Sequence, residues 1–213
     1  MPTPQQILSG LTDIANGALP LAIAWHVVLL FVLMALVRGW RPRRRLAAAT
    51  LSLPLISVAA LALWHANPFN GAVFLLLALA LGALALPMPP AAPPRPPPWA
   101  IVVGVVLVVF GWVYPHFLEQ RPAWHYLFAA PLGLVPCPTL SVVIGLGLLA
   151  GGFGSRPWVL LLAAAGVFYG VFGAWRLGVW IDGVLLAGAA ALLVLAWAMP
   201  RPPRTAGSPP PAG

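Results

Sequence analysis

Hydrophobic residues form seven long runs, separated by short polar, glycine-rich or proline-rich segments. Each run approaches the roughly 20 residues that a helix needs to cross a bilayer. The predicted spans cover residues 19–37, 46–64, 71–86, 99–118, 123–152, 158–177 and 179–199. The pattern therefore predicts an all-α fold, a polytopic bundle of about seven transmembrane helices.

The fifth run differs from the others because prolines interrupt it between Pro131 and Pro138. Residues 130–152 read APLGLVPCPTLSVVIGLGLLAGG and contain three prolines, the only cysteine and a glycine-rich run. Backbone groups that proline leaves unpaired must find partners in protein or water, since lipid offers none. We therefore expect a broken helix at the centre of the bundle, with Pro138 in the first turn of its second half.

The segments outside the seven runs are predicted to lie at or beyond the membrane surface. Residues 1–18 are weakly amphipathic and fit either a frayed leader or a short helix on the outer surface. Residues 87–98 read PMPPAAPPRPPP, a connector that resists helix formation and acts as a stiff spacer. Residues 200–213 are rich in proline and polar residues, which predicts a disordered cytoplasmic tail.

Composition favours a membrane protein and argues against nucleic-acid binding. Of the 213 residues, 62% are hydrophobic and only 7% are charged, too few to cover a soluble domain of this size. The formal net charge is +8, but the basic residues lie between apolar runs and not on a polar domain. The lipid bilayer is therefore the expected partner. The single cysteine excludes an internal disulfide.

The arginines predict an orientation, because cytoplasmic loops of membrane proteins are enriched in basic residues. With seven spans and an outer N-terminus, Arg121 and Arg176 fall outside and nine arginines fall inside. The inner set is Arg38, Arg41, Arg43, Arg44, Arg45, Arg95, Arg156, Arg201 and Arg204. Arginine without lysine, in a chain rich in alanine, proline and glycine, fits a GC-rich bacterial coding sequence. We therefore predict a bacterial inner-membrane protein with a cytoplasmic C-terminus.

The interrupted fifth span carries the strongest candidate for a solute site. Discontinuous helices of transporters bind substrates near the membrane midplane. Cys137 and Thr139 lie at the break, and His26 is a titratable residue inside the first span, where such a residue usually faces the bundle interior. An inert cysteine beside a proline kink is the alternative interpretation.

Polar residues near the outer ends of the spans could form the mouth of that site. Tyr114 and His116 lie at the end of the fourth span, Glu119 follows it, and His125 begins the fifth. His65, His116 and His125 are weak candidates for metal ligands, because their spacing is not a metal signature. Interfacial or hydrogen-bonding roles are the alternative, and no metal or other cofactor is predicted.

Two further patterns predict contacts between the spans. Arg176 and Asp182 flank the outer turn between the last two spans, which favours a structural ion pair over a substrate clamp. Glycines four residues apart in the fifth and sixth spans let helices approach closely, with a pore lining as the alternative. These glycines, which could also bind a second copy or a membrane partner, are Gly147, Gly151, Gly166 and Gly170.

Between Tyr114 and Leu149 the chain resembles a family of bacterial integral membrane proteins with no assigned activity. Its members carry a Tyr-Pro pair at the end of a span, a short outer loop with proline, and a Pro-Cys-Pro-Thr element that opens an apolar helix. The matching residues here are Tyr114, Pro115, Pro122, Pro136, Cys137, Pro138 and Thr139. The resemblance covers about a sixth of the chain and implies a membrane fold without a mechanism.

The sequence therefore favours binding or translocation of a small solute or ion at the broken helix. A non-catalytic membrane scaffold or partner subunit is the alternative. A metal-dependent membrane enzyme ranks last, because no nucleotide-binding or catalytic motif is present.

Overall fold

The computed structural model describes residues 3–118 and 122–200, and every regular element within these ranges is helical. The helices are α1 (Pro4–Gly17), α2 (Leu19–Val37), α3 (Arg44–Thr50), α4 (Leu53–Trp64), α5 (Pro68–Ala85), α6 (Pro98–Val113), α7 (Tyr126–Ala129), α8 (Pro136–Leu149), α9 (Arg156–Val171) and α10 (Gly183–Ala198). Short 3₁₀ turns cover Ala123–His125, Gly151–Gly154 and Trp180–Asp182, and a π-helical turn covers Phe172–Arg176. The predicted all-α class is confirmed. The predicted tail, from residue 201 onward, lies outside the described residues.

Within the described residues, five helical stretches are long and apolar enough to cross a membrane. They are Leu19–Val37, Arg44–Trp64, Pro68–Ala85, Arg156–Arg176 and Trp180–Ala198. Helices α6 and α8 are also apolar, but they have only 16 and 14 residues. At 1.5 Å per residue these helices are about 24 and 21 Å long, shorter than the ~30 Å hydrocarbon core. A helical protein suited to a membrane is therefore established, and the count of seven crossings stays a prediction.

The fourth predicted span extends further than the helix that forms there. Helix α6 ends at Val113, five residues before Leu118, and Tyr114 has a non-helical φ of −32° and ψ of 105°. Pro115 explains this end, because the proline ring disfavours the α conformation in the residue before it. Residues 114–118 are therefore irregular, and Tyr114 turns into the protein interior, where it is fully buried.

The fifth apolar run is interrupted over residues 130–135, a shorter break than the expected Pro131–Pro138. Helix α8 begins at Pro136 and includes Pro138 in its first turn, where a missing N–H would be unpaired anyway. At the other end, the chain leaves α8 in a turn in which Gly151 and Gly152 have φ of 56° and 60°. Residues 150–152, which were assigned to the span, therefore belong to a turn.

Helix α8 forms the centre of the fold. Nearly all of its residues are buried, and it packs against α6, α9 and α10. Glycines bring α6 and α8 into backbone contact. A Cβ added at Gly111 would lie 2.6 Å from the Pro138 carbonyl oxygen, and a Cβ added at Gly145 would lie 2.6 Å from the Gly104 carbonyl oxygen. These contacts surround α8 with protein, as expected for the helix that follows the break.

The glycines of the predicted close-packing patterns are buried against other parts of the same chain. Helix α9 contacts one of them, α10 contacts two, and the proline-rich connector contacts the last. The pairs are Gly147 with Trp158, Gly166 with Ala189, Gly170 with Leu186, and Gly151 with Pro94. Three of them therefore serve close helix packing and Gly151 packs a turn against the connector, whereas binding of a second copy or another partner is untested.

The proline-rich connector lies against the protein instead of projecting from it. The backbone N–H of Arg44 donates to the Ala91 carbonyl at 2.9 Å, and its Nε donates to the Ala92 carbonyl at 2.9 Å. Residues 87–97 are not helical, and α6 begins at Pro98. The connector therefore ties the start of α3 to the end of the bundle at which α8 terminates.

The N-terminal segment forms a helix and not a frayed leader. Thr3 caps α1, and its side chain and that of Gln6 form a reciprocal capping box, which satisfies two free N–H groups. The apolar side of α1 packs against the irregular segment that follows α6. In addition, Asn16 Nδ2 donates to the Phe117 carbonyl at 2.9 Å. Helix α1 therefore holds residues 114–118 in place.

Candidate functional site

A buried carboxylate at the start of the last helix is the most unusual polar group of the interior. Asp182 directly precedes α10 and is only 1% exposed. Its Oδ1 accepts a hydrogen bond from the Tyr114 hydroxyl at 2.8 Å, and its Oδ2 accepts one from the Cys137 thiol at 3.1 Å. The end of α6, the start of α8 and the start of α10 therefore meet at one carboxylate.

Local sequence features place each of these three side chains. Pro115 ends α6 and frees Tyr114 to turn inward, and the proline-rich start of α8 presents Cys137 in its first turn. Gly173, in the π-helical turn, provides the space for Asp182, because a Cβ at that position would collide with the carboxylate. Such π-helical turns occur often at functional sites.

The predicted ion pair between Arg176 and Asp182 is wrong. Arg176 is exposed, whereas the Asp182 carboxylate is buried and is hydrogen-bonded to Tyr114 and Cys137. Within the described part of the chain, no basic side chain donates a hydrogen bond to this carboxylate. The predicted pairing placed both residues in an outer turn, but Arg176 ends the π-helical turn on the surface, whereas Asp182 ends the following 3₁₀ turn in the interior.

Thr139 fixes the backbone of the break. Its Oγ1 accepts a hydrogen bond from the Gly133 N–H at 2.9 Å and donates one to the Val135 carbonyl at 2.7 Å, and the side chain is fully buried. Gly133 has a φ of 74° and lies against the Trp25 ring, so close that no side chain would fit there. The hydroxyl of Thr139, a predicted solute ligand, therefore holds the backbone of residues 133–135 in place.

The His26 ring lies between a backbone carbonyl of its own helix, α2, and one of α6. Nδ1 lies 2.8 Å from the Ala22 carbonyl oxygen, and Nε2 lies 2.9 Å from that of Trp112. A neutral imidazole donates from one ring nitrogen, so the tautomer decides which carbonyl accepts the hydrogen bond. The Trp112 carbonyl is one of the last four of α6, which lack partners within the helix. With the proton on Nε2, His26 caps α6. No hydrogen bond in the described residues connects His26 to Cys137 or Thr139.

The predicted outer mouth is only partly assembled in the described residues. The His116 ring packs 4.3 Å from that of Phe117 and 6.5 Å from that of Tyr114, measured between centroids. Burial lowers the pKa of His116, which favours the neutral imidazole. His125 makes a local contact, with Nδ1 3.2 Å from the Pro122 carbonyl oxygen. Glu119 lies outside the described residues.

The weak metal candidates do not come together in the described ranges. His65 is exposed at the end of α4, and its Nδ1 lies 3.0 Å from the Leu61 carbonyl oxygen. His116 packs on Phe117, whereas His125 lies beside the Pro122 carbonyl. Among the residues that the structure describes, no three His, Cys, Asp or Glu side chains lie close enough to hold a metal ion.

Sequence reasoning missed the central role of Asp182 and the pairing of two other buried polar residues. Tyr169 donates its hydroxyl proton to Asn70 Oδ1 at 3.0 Å, which links α9 to α5 inside the bundle. The sequence does mark Asp182 as a candidate for a buried acid, because it is one of three acidic residues in the chain and lies between apolar residues. Its neighbour Arg176 made a surface ion pair the simpler interpretation.

Comparison with known proteins assigns no family to this chain. No protein-family model matches it, and neither curated proteins nor solved structures give a significant match. The resemblance of the Tyr-Pro and Pro-Cys-Pro-Thr elements to a bacterial membrane family therefore stays a prediction.

Proposed function

We propose that this chain is a multi-pass membrane protein that binds or translocates a small cation or protonated solute at the break before α8. Asp182 is the ionisable group of the site, and Tyr114 and Cys137 are its neutral hydrogen-bonding partners. Thr139 fixes the adjoining backbone. The observation that carries the proposal is the burial of the Asp182 carboxylate beside an interrupted helix.

The energetic cost of a buried charge supports a role for this carboxylate beyond packing. An ionised carboxylate in a low-dielectric interior is unfavourable unless an opposite charge is nearby. Tyr114 and Cys137 donate hydrogen bonds, but neither brings a positive charge. A proton or a bound cation would supply that charge, and ionisable residues within membrane bundles commonly mark ion pathways.

The chemistry of the break favours a cation over an anion. The first turn of a helix usually attracts anions through its free N–H groups. Pro136 and Pro138 lack this group, so two of the first three donors of α8 are missing. The Asp182 carboxylate also lies at this helix start and would repel an incoming anion. A cation or a solute with hydrogen-bond donors fits these groups better.

The segment formed by residues 114–118 is the proposed gate of the site. The Phe117 ring stacks on that of Tyr114, with centroids 6.1 Å apart and planes at 17°. Phe117 also has a φ of 74°, a conformation that costs a bulky residue about 1–2 kcal/mol. Strained residues of this kind cluster at ligand clamps and switches. Movement of this segment would expose Asp182.

The proposed orientation has the N-terminus outside a bacterial inner membrane and the C-terminus in the cytoplasm. The gate and His116 then lie at the outer side, together with His125 and the predicted Glu119. Solute would therefore enter from outside. His26 supports the gate indirectly, because it caps the helix from which the gate extends.

Ligand-dependent stability of the purified protein tests the proposal. Thermal unfolding is followed in sodium, potassium, ammonium and methylammonium chloride at matched ionic strength. A cation that binds the folded state at 100 times its Kd stabilises that state by about 2.7 kcal/mol. We expect at least one of these cations to raise the unfolding temperature of the wild type and of Asp13→Asn, a control at an exposed acid. The same cation should not stabilise Asp182→Asn.

Uptake into liposomes then separates binding from translocation. The stabilising cation is added outside proteoliposomes that contain wild-type protein or Asp182→Asn. Faster uptake by the wild type supports translocation, whereas equal uptake with retained stabilisation limits the proposal to binding. If no cation distinguishes the wild type from Asp182→Asn in either measurement, the proposal fails and a scaffold role becomes the better explanation.

A further inference from the structure

An apolar groove runs along α2 on the side that faces α3, α4 and α8. Its volume is about 350 Å³, within the range of ordinary ligand sites. The walls include Val28, Val32 and Leu36 of α2, and Val142, Leu146 and Leu149 of α8. The floor is therefore formed by the central helix, and one wall is formed by the first long apolar helix.

The length of the groove matches one leaflet of a bilayer. Its lining residues on α2 extend from Trp25 to Leu36. At 1.5 Å per helical residue this interval is about 16 Å, roughly half of the 30 Å hydrocarbon core. An extended acyl chain from one leaflet would therefore occupy the groove along its length.

Polar character is concentrated at one end of the groove. Arg41 and Trp40 line this end, beyond the last turn of α2. Arg38 and Arg43 are exposed in the same connection, Arg45 is exposed in the first turn of α3, and residues 38–45 contain no acidic residue. The rest of the lining is apolar except for two threonines. The groove is therefore apolar along most of its length and positively charged at one end.

Helix α2 leaves the groove accessible because it packs loosely on the rest of the bundle. Of its 19 residues only Ala22, His26 and Leu29 are buried. Val28, at the groove, is 49% exposed. A lipid in the surrounding bilayer could therefore reach the groove from the side, without passing through water.

We infer that the groove binds an anionic glycerophospholipid, with one acyl chain along α2 and α8 and the phosphate at Arg41. The apolar walls exclude a polar ligand along most of the length, and Arg41 at the end of the groove selects a negative headgroup. Trp40 lies where aromatic residues favour the interface between headgroups and acyl chains. This inference does not depend on the cation site at Asp182.

Native mass spectrometry of the detergent-solubilised protein tests the inference, with dioleoyl phosphatidylglycerol and dioleoyl phosphatidylcholine as probes. Arg41→Ala should weaken binding of phosphatidylglycerol about fivefold, because each arginine near an anionic lipid contributes ~1 kcal/mol to binding. Arg45→Ala is the matched control, because Arg45 is exposed in the first turn of α3, close to Arg41 in the sequence, but does not line the groove. The control should bind within twofold of the wild type.

A second pair of variants tests the acyl-chain part of the site. Val28→Trp fills the groove from an exposed position and should therefore fold, and we expect it to abolish binding of phosphatidylglycerol. Val27→Trp places the same side chain at a neighbouring exposed residue that does not line the groove, and binding should persist. The inference is overturned if Val28→Trp and Arg41→Ala both bind like the wild type, or if phosphatidylcholine binds as tightly as phosphatidylglycerol. A dimer that excludes lipid and is lost in Val28→Trp would instead assign the groove to a second copy of the chain.

Discussion

Tyr114 and Asp182 are 68 residues apart in the sequence, yet a hydrogen bond of 2.8 Å joins them inside the bundle. The bond ties the irregular segment after α6 to the start of α10. Because Cys137 donates to the other carboxylate oxygen, the start of α8 is held at the same point. One carboxylate therefore links the broken helix to the two helices that enclose it.

Removal of this carboxylate should destabilise the fold. Asp182→Ala leaves the Tyr114 hydroxyl and the Cys137 thiol without their acceptor, and each buried group left unpaired costs about 1–3 kcal/mol. We expect Asp182→Ala to unfold at a clearly lower temperature than the wild type, as measured by tryptophan fluorescence in detergent. Asp182→Asn keeps an acceptor oxygen and should unfold between the two. Equal unfolding temperatures for Asp182→Ala and the wild type would show that the hydrogen bonds do not organise the fold.

Thr139 should be required for the shape of the break. Thr139→Val retains the volume but leaves the buried Gly133 N–H and Val135 carbonyl without the side-chain partner that joins them. We expect a loss of about 1–3 kcal/mol in the free energy of unfolding, measured by denaturant titration. Thr139→Ser keeps the hydroxyl and serves as the control, with a smaller loss. If the valine variant is as stable as the serine variant, the hydroxyl does not fix residues 133–135.

His26 should contribute to stability through its bond to the Trp112 carbonyl. His26→Phe keeps a ring against Trp112 but removes the hydrogen bond to the half-buried Trp112 carbonyl, at a cost of about 1 kcal/mol. His65→Phe is the control, since His65 is exposed and contacts only its own helix. Thermal unfolding of both variants measures the difference. A similar small effect for both would assign His26 to packing alone.

Gly111 should tolerate no side chain. A Cβ at this position would lie 2.6 Å from the Pro138 carbonyl oxygen and 2.7 Å from a Val142 methyl group, so Gly111→Ala forces α6 and α8 apart. Overpacking of this kind costs about 1–3 kcal/mol. The control is Gly10→Ala in α1, where nothing lies within 4 Å and alanine should stabilise the helix by up to ~1 kcal/mol. Opposite shifts in unfolding temperature are expected, and equal shifts would contradict the close contact of α6 with α8.

The sequence predicts the apolar helices well, because their length and composition respond directly to the bilayer. The predicted span 19–37 coincides with α2, and the residues around Pro131 interrupt a helix as expected. Helix ends are predicted less well. Val113 ends α6 because Pro115 follows two residues later, and this local effect overrides the apolar character of residues 114–118.

The candidate site is harder to predict, because it depends on contacts between residues far apart in the sequence. Cys137 and Tyr114 are individually recognisable, but only the fold brings both to Asp182, 45 and 68 residues away. Thr139 and His26 illustrate a second difficulty. Both are buried polar residues, as predicted for a site, yet their polar atoms bind backbone groups that a single sequence cannot reveal.

Cys137, the only cysteine of the chain, lies at the break and is hydrogen-bonded to Asp182. The accessibility of its thiol to water therefore tests the central claim most directly. Proteoliposomes are treated with a membrane-impermeant maleimide, and the labelled fraction is compared with that of denatured protein. We predict labelling of the native protein from one side, slowed by the cation that stabilises the wild type but not slowed in Asp182→Asn. Labelling that occurs only after denaturation would show that the break is closed to water, and the proposed cation site would then be withdrawn.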